Sequence, residues 1–125
     1  LLARRREIIN RYDEALSGLP VTILRHFEEM HKSSGHLYMV RLDGKDETQR
    51  NRLIELMAQK GVATNVHYKP LPMLTAYKNL GFDVKNFPNA YEMYKNEVTL
   101  PLHTLLSDDD VDYVVSVFEG CLKEL

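Results

Sequence analysis

The chain has a single cysteine, Cys121, so no disulfide can close within it. It has no secretory apolar segment near its N-terminus, and the two absences together point to the cytoplasm. No apolar run approaches bilayer-spanning length, so no membrane partner is expected. Charge of either sign is nearly balanced, with a formal net charge of −2, which excludes a bulk positive field able to gather nucleic acid or an anionic lipid surface. Any anion contact has to be local. There is no glycine-rich phosphate loop, no serine-centred elbow and no pair of carboxylates at catalytic spacing. His26, His31, His36 and His103 form neither an i, i+4 pair nor a Cys/His ligand pattern, so no metal site is expected.

What remains is 125 residues, 44% apolar and 27% charged, enough for one folded domain over residues 1–125. The opening "LLARRRE" has no methionine and puts Arg4, Arg5 and Arg6 into the first turn of a helix, where cations oppose the dipole. That is expected if the helix begins upstream and the chain is the C-terminal piece of something longer; a processed product is the alternative.

Ile8, Ile9, Tyr12, Ala15, Leu16 and Leu19 recur at helical spacing, and Gly18 and Pro20 end the pattern. Residues 20–35 read as a loop or short strand. "HLYMVRLDG" is a nearly continuous apolar run closed by Asp43 and Gly44, as expected of a strand buried on both faces. Asp46 and Gln49 suggest a capping box for a helix buried through Leu53, Ile54, Leu56 and Met57 and ended by Gly61. "VATNV" then reads as a second strand, completing a strand, helix, strand crossover. Two short helices follow, over "PMLTAYKNLG" and "FPNAYEMYKNE", and "VTLPL" is a third strand that Pro101 ends or places at an edge. Ser107 before Asp108, Asp109 and Asp110 caps a last helix with Val111, Val114, Val115, Phe118 and Leu122 at core spacing. Capping accounts for those aspartates better than catalysis, and Cys121 beside the stripe reads as a small buried residue. The expected fold is α+β: a two-layer domain with helices packed on a sheet of roughly three strands.

One stretch carries chemistry, "NVHYKPLP" from Asn65 to Pro72. Strand alternation places Val62, Thr64, Val66 and Tyr68 on one face and Ala63, Asn65 and His67 on the other. Pro70 and Pro72 each hold the preceding residue extended, so the loop leaves the strand stiffly and presents its side chains at low entropic cost. His67 can donate or accept, Tyr68 donates and Lys69 is a compact cation suited to phosphate. Together they fit a phosphorylated, hydroxyl-rich ligand. The plainer reading stays open beside it: a core histidine, a packing tyrosine and a solvated lysine.

Taken together, "SSGHLYMVRLD", "LIELMAQKGVATNVHYKPLPMLTAYKNLGF", "FPNAYEMYKNEVTLPLH" and "LSDDDVDYVVSVF" resemble, over roughly residues 4–122, the C-terminal part of the DegT/DnrJ/EryC1/StrS family of pyridoxal-phosphate-dependent sugar aminotransferases. The resemblance implies the small C-terminal domain of the aspartate-aminotransferase-like fold, with the large cofactor-binding domain absent from this chain. It implies transfer of an amino group, commonly from glutamate, to a nucleotide-linked keto sugar, by a homodimer with active sites at the subunit interface. It places the Schiff-base lysine and most contacts to pyridoxal phosphate in the large domain, so Lys69 is not that lysine and no catalytic residue is expected here. His67 and Tyr68 match the pair that lies over the sugar nucleotide, and Lys69 follows at a position that can approach the diphosphate. His36 and Tyr38 match a strand with structural work near the domain interface. A dehydratase relative on the same scaffold, or a stand-alone domain that binds nucleotide sugars without catalysis, are the alternative readings.

Overall fold

The computed structural model describes residues 1–125. Helix α1 (Leu2–Leu16) buries Ile8, Ile9, Tyr12 and Leu16, and its first-turn arginines are spent on tertiary partners. Arg4 pairs with Glu7 and Asp108, Arg5 donates to the carbonyls of Gly35 and Leu102, and Arg6 lies over the Phe27 ring. Strand β1 (Val21–Ile23) follows, then β2 (Tyr38–Leu42) and α2 (Glu47–Gln59), whose capping box joins Asp46 and Gln49 as expected. A 3-10 turn (Leu71–Met73), the short α3 (Thr75–Asn79) and a second 3-10 turn (Val84–Asn86) lead to α4 (Pro88–Lys95), β3 (Glu97–Leu100) and α5 (Asp108–Lys123).

The three strands form one antiparallel sheet in the order β1-β2-β3. The strand count agrees with the sequence reading but the membership does not. β1 lies within residues 20–35, where a loop or short strand is expected, and the expected strand at 62–66 touches the sheet at one position only, the Asn65–Thr99 bridge. The expected crossover therefore runs past β3 without completing a ladder, because the chain turns away into the prolines directly afterwards.

The "HLYMVRLDG" strand also differs from expectation. Tyr38, Val40 and Leu42 are buried against the helices, whereas Met39 and Arg41 are only half-buried on the other face. The helical face is the core, built from α1, α2, α5, β2, β3 and Val62. In α5, capped by Ser107 and Asp110, Val111, Val114, Val117, Phe118, Cys121 and Leu122 are buried. Burial also pushes the Cys121 thiol up, keeping it protonated and inert. Gly35 sits at φ +67° against α1, where a Cβ would come within 2.9 Å of Ile9 Cδ1, so conformation and space both require glycine.

His26 is buried and stacks on Tyr38, with ring centroids 5.7 Å apart at an interplanar angle of 9°. Its Nδ1 lies 3.1 Å from Ser33 Oγ, and its Nε2 is buried without a partner. Burial holds its pKa below the usual histidine value, partly offset by Asp13. A pKa lowered by folding means that the unfolded chain takes up the proton first, so stability falls as pH drops through the histidine range. The urea midpoint should therefore decline from about pH 8 to about pH 5, and His26→Phe should flatten that slope. An unchanged slope in the variant would assign the acid sensitivity elsewhere.

Candidate functional site

Strand register sets the second face of the sheet. Met39 stands opposite Thr99, and Arg41 opposite Glu97 and Thr22. With Tyr38, Val40, Val98 and Leu100 turned to the core, alternation sends Met39, Arg41, Glu97 and Thr99 to the far side, bordered by α4 and covered by the chain around His67. Two cavities open there. One of about 100 Å³ is lined by residues including Met39, Arg41, His67, Tyr68, Met93 and Glu97. The other, of about 300 Å³, is more polar and includes His36, Thr64, Asn65, His67 and Thr99. The His67 ring borders both.

His67 is anchored from backbone and ring alike. Its N–H donates to Glu97 Oε2 at 3.0 Å, its Nδ1 lies 2.9 Å from Thr99 Oγ1, and the Thr99 hydroxyl donates to Glu97 Oε1 at 2.6 Å. Two residues earlier, the Asn65–Thr99 bridge exchanges both backbone hydrogen bonds, at 3.2 and 2.7 Å. Nε2 makes no hydrogen bond within the chain. The Tyr68 ring meets the His67 ring edge to face at 4.6 Å, across a cis peptide bond, and is 72% exposed. Lys69 is exposed beyond it.

The chain thus brings the His67 and Tyr68 rings together, while Lys69, next in the chain, is exposed. Two details differ from the sequence reading. The alternating pattern lapses after Val66, so that Tyr68, expected on the Val62 face, points to solvent. Leu71 begins a 3-10 turn closed by the Met73 N–H on the Pro70 carbonyl at 2.9 Å, so the exit from the site is a tight bend and not a fully extended arm.

Glu97, Thr99 and Arg41 belong to the site and were not foreseen. Glu97 is 3% exposed, and burial holds its pKa above the usual carboxylate value, partly offset by the hydrogen bonds from Thr99 and the His67 backbone and by the charge of Arg50. Beneath it, Arg50 donates to the carbonyls of Tyr94 and Glu97, both at 3.1 Å, fixing the start of β3. Arg41 donates to Asn96 Oδ1 and the Glu92 carbonyl, each at 3.0 Å, and forms no ion pair. The signal that could have found Glu97 and Thr99 is the i, i+2 spacing of two polar residues in "EVTLPL". That signal is weak because Glu97 stands at the junction of α4 and β3, one residue ahead of the apolar run "VTL".

The same architecture occurs in known proteins. The family model of the DegT/DnrJ/EryC1/StrS aminotransferases matches residues 1–119. The spore coat polysaccharide biosynthesis protein SpsC of Bacillus subtilis is 32% identical over 123 residues, covering 96% of this chain and 32% of that protein. The UDP-4-amino-4,6-dideoxy-N-acetyl-beta-L-altrosamine transaminase of Campylobacter jejuni is 31% identical over 124 residues, 99% of this chain and 33% of its own. Among solved structures, Spr1654 of Streptococcus pneumoniae in its PMP form superposes with a TM-score of 0.97 at 50% identity, over 99% of this chain and 31% of that one. The chain spans about a third of the length of the curated relatives it matches.

Proposed function

The chain belongs to the DegT/DnrJ/EryC1/StrS aminotransferase family, and from that premise we propose that it is the C-terminal, substrate-facing domain of a sugar aminotransferase. The whole enzyme moves an amino group, from glutamate, to a keto sugar carried on a nucleoside diphosphate. The observation that carries this reading is the His67–Tyr68 pair: an anchored imidazole between two cavities, with an exposed phenol stacked on its edge.

Family members use pyridoxal phosphate, and Spr1654 has been solved in a PLP form. The residues of this chain do not make a site for that group by themselves, since no lysine lines either cavity at His67. The cofactor supplies the amino-transfer chemistry; this domain supplies binding and orientation. His67 and Tyr68 hold the sugar by hydrogen bonds and ring contact. Arg41, a cation without an ion pair at the cavity wall, and the exposed Lys69, two residues after His67 in the chain, suit the diphosphate. The apolar groove of about 410 Å³ over Pro70, Leu71, Pro72, Tyr77, Phe82 and Phe87 is the face offered to the rest of the dimeric enzyme.

The test is kinetic. In the full-length protein His67→Ala should lower kcat/KM for the nucleotide sugar by about 10- to 100-fold, the range for losing one or two ligand hydrogen bonds, and Tyr68→Phe by less. The rate with the amino donor alone should not change. Sugar kinetics unaltered in both variants would remove the pair from the binding site.

A further inference from the structure

We propose that Glu97 and Thr99 are positioning residues that hold His67 in its Nδ1–H tautomer, so that the ring offers a bare Nε2 lone pair to the ligand. The ligand group that fits is then a donor, a sugar hydroxyl or amide N–H, and not a phosphate oxygen. The choice of ligand rests on the functional reading above; the tautomer does not.

The assignment follows from counting hydrogens. The Thr99 hydroxyl carries one hydrogen, and its 2.6 Å contact with Glu97 Oε1 falls in the short range of a hydroxyl donating to a carboxylate. The other oxygen, Oε2, accepts the His67 backbone N–H at 3.0 Å, so both oxygens act as acceptors, as in the ionised form. With its hydrogen committed to Glu97, Thr99 Oγ1 can only accept from the ring 2.9 Å away, and Nδ1 must bear the proton. A neutral imidazole has one N–H, which leaves Nε2 as an acceptor. Glu97 and Thr99 have no second route to the ligand through this ring; they act by setting which nitrogen is protonated.

An isosteric change inverts the chain of donors. In Glu97→Gln the amide oxygen can still accept the His67 backbone N–H, but the amide nitrogen then faces Thr99 and donates to it. The Thr99 hydrogen is released toward Nδ1, and the ring proton moves to Nε2. The cavity would meet a donor where the native protein shows an acceptor.

The experiment is a long-range proton–nitrogen correlation spectrum of the full-length, histidine-labelled protein at neutral pH, without nucleotide sugar. His67 should show a protonated Nδ1 and an unprotonated Nε2, with a population bias of about tenfold or more, as one charge-assisted hydrogen bond allows. Glu97→Gln should exchange the two signals. Where that variant loses the native amide spectrum, Thr99→Val should abolish the bias and Thr99→Ser restore it. A native ring protonated on Nε2, evenly averaged nitrogens, or a tautomer indifferent to these substitutions would overturn the proposal. If Nδ1 proves protonated while His67→Ala leaves sugar kinetics intact, the functional reading falls and the relay stands. An Nε2–H ring with impaired sugar kinetics would mean the reverse.

Discussion

Arg50→Met should lower the free energy of unfolding by about 3–5 kcal/mol, the range for removing one member of a buried charged network. Arg50 is 1% exposed, and its guanidinium spans the junction between α4 and β3. Besides the two carbonyls at 3.1 Å, it donates from Nε to Asn51 Oδ1 at 2.7 Å and lies over the Tyr94 ring, 4.7 Å from its centroid. Methionine fills much of the volume but supplies no donor, so the Tyr94 and Glu97 carbonyls lose their Arg50 partner in a buried setting, at about 1–3 kcal/mol each. Urea denaturation would measure the loss. A variant within about 0.5 kcal/mol of native would mean that other donors reach these carbonyls and that the arginine is not what anchors β3.

Phe118→Ala should cost a similar amount, about 3–5 kcal/mol, for a different reason. Its ring is fully buried in α5, the helix that packs on both α1 and α2. Removing it leaves an apolar void that the surrounding helices can close only in part, so transfer and cavity costs add. The same denaturation experiment serves. A loss below about 1 kcal/mol would show that α1 and α2 collapse onto the gap.

The two residues mark what the sequence discloses and what it does not. Phe118 lies on a stripe announced by local signals, a capping serine and apolar residues at 3.6 spacing, and α5 formed where that pattern placed it. Arg50 stands in "TQRNRL", where nothing local separates it from its solvated neighbours; only the arrival of two carbonyls from residues 94 and 97 makes it interior. β1 was hard to read for the same cause. It has three residues, and its partners lie about twenty positions away in β2. Residues 62–66 erred in the opposite direction, with good strand composition but a single bridge to the sheet. At the site, His67 and Tyr68 stood out because unusual side chains cluster with prolines. Glu97 and Thr99 acquire meaning only when β3 is laid beside residues 65–67.

The Asn65–Thr99 bridge has a consequence for solubility. β3 is the last strand on its side of the sheet, and such a margin normally presents a free row of amides and carbonyls on which another molecule's strand can grow. Here the Thr99 amide and carbonyl are both engaged by Asn65 in the middle of that row, and Pro101 follows directly after the strand, where it has no amide to give. The opposite margin, β1, extends for only three residues. The loop that holds His67 over the cavities therefore also guards the sheet against edge-to-edge polymerisation, and substitutions that free residue 65 would be selected against even in a copy that had lost its ligand.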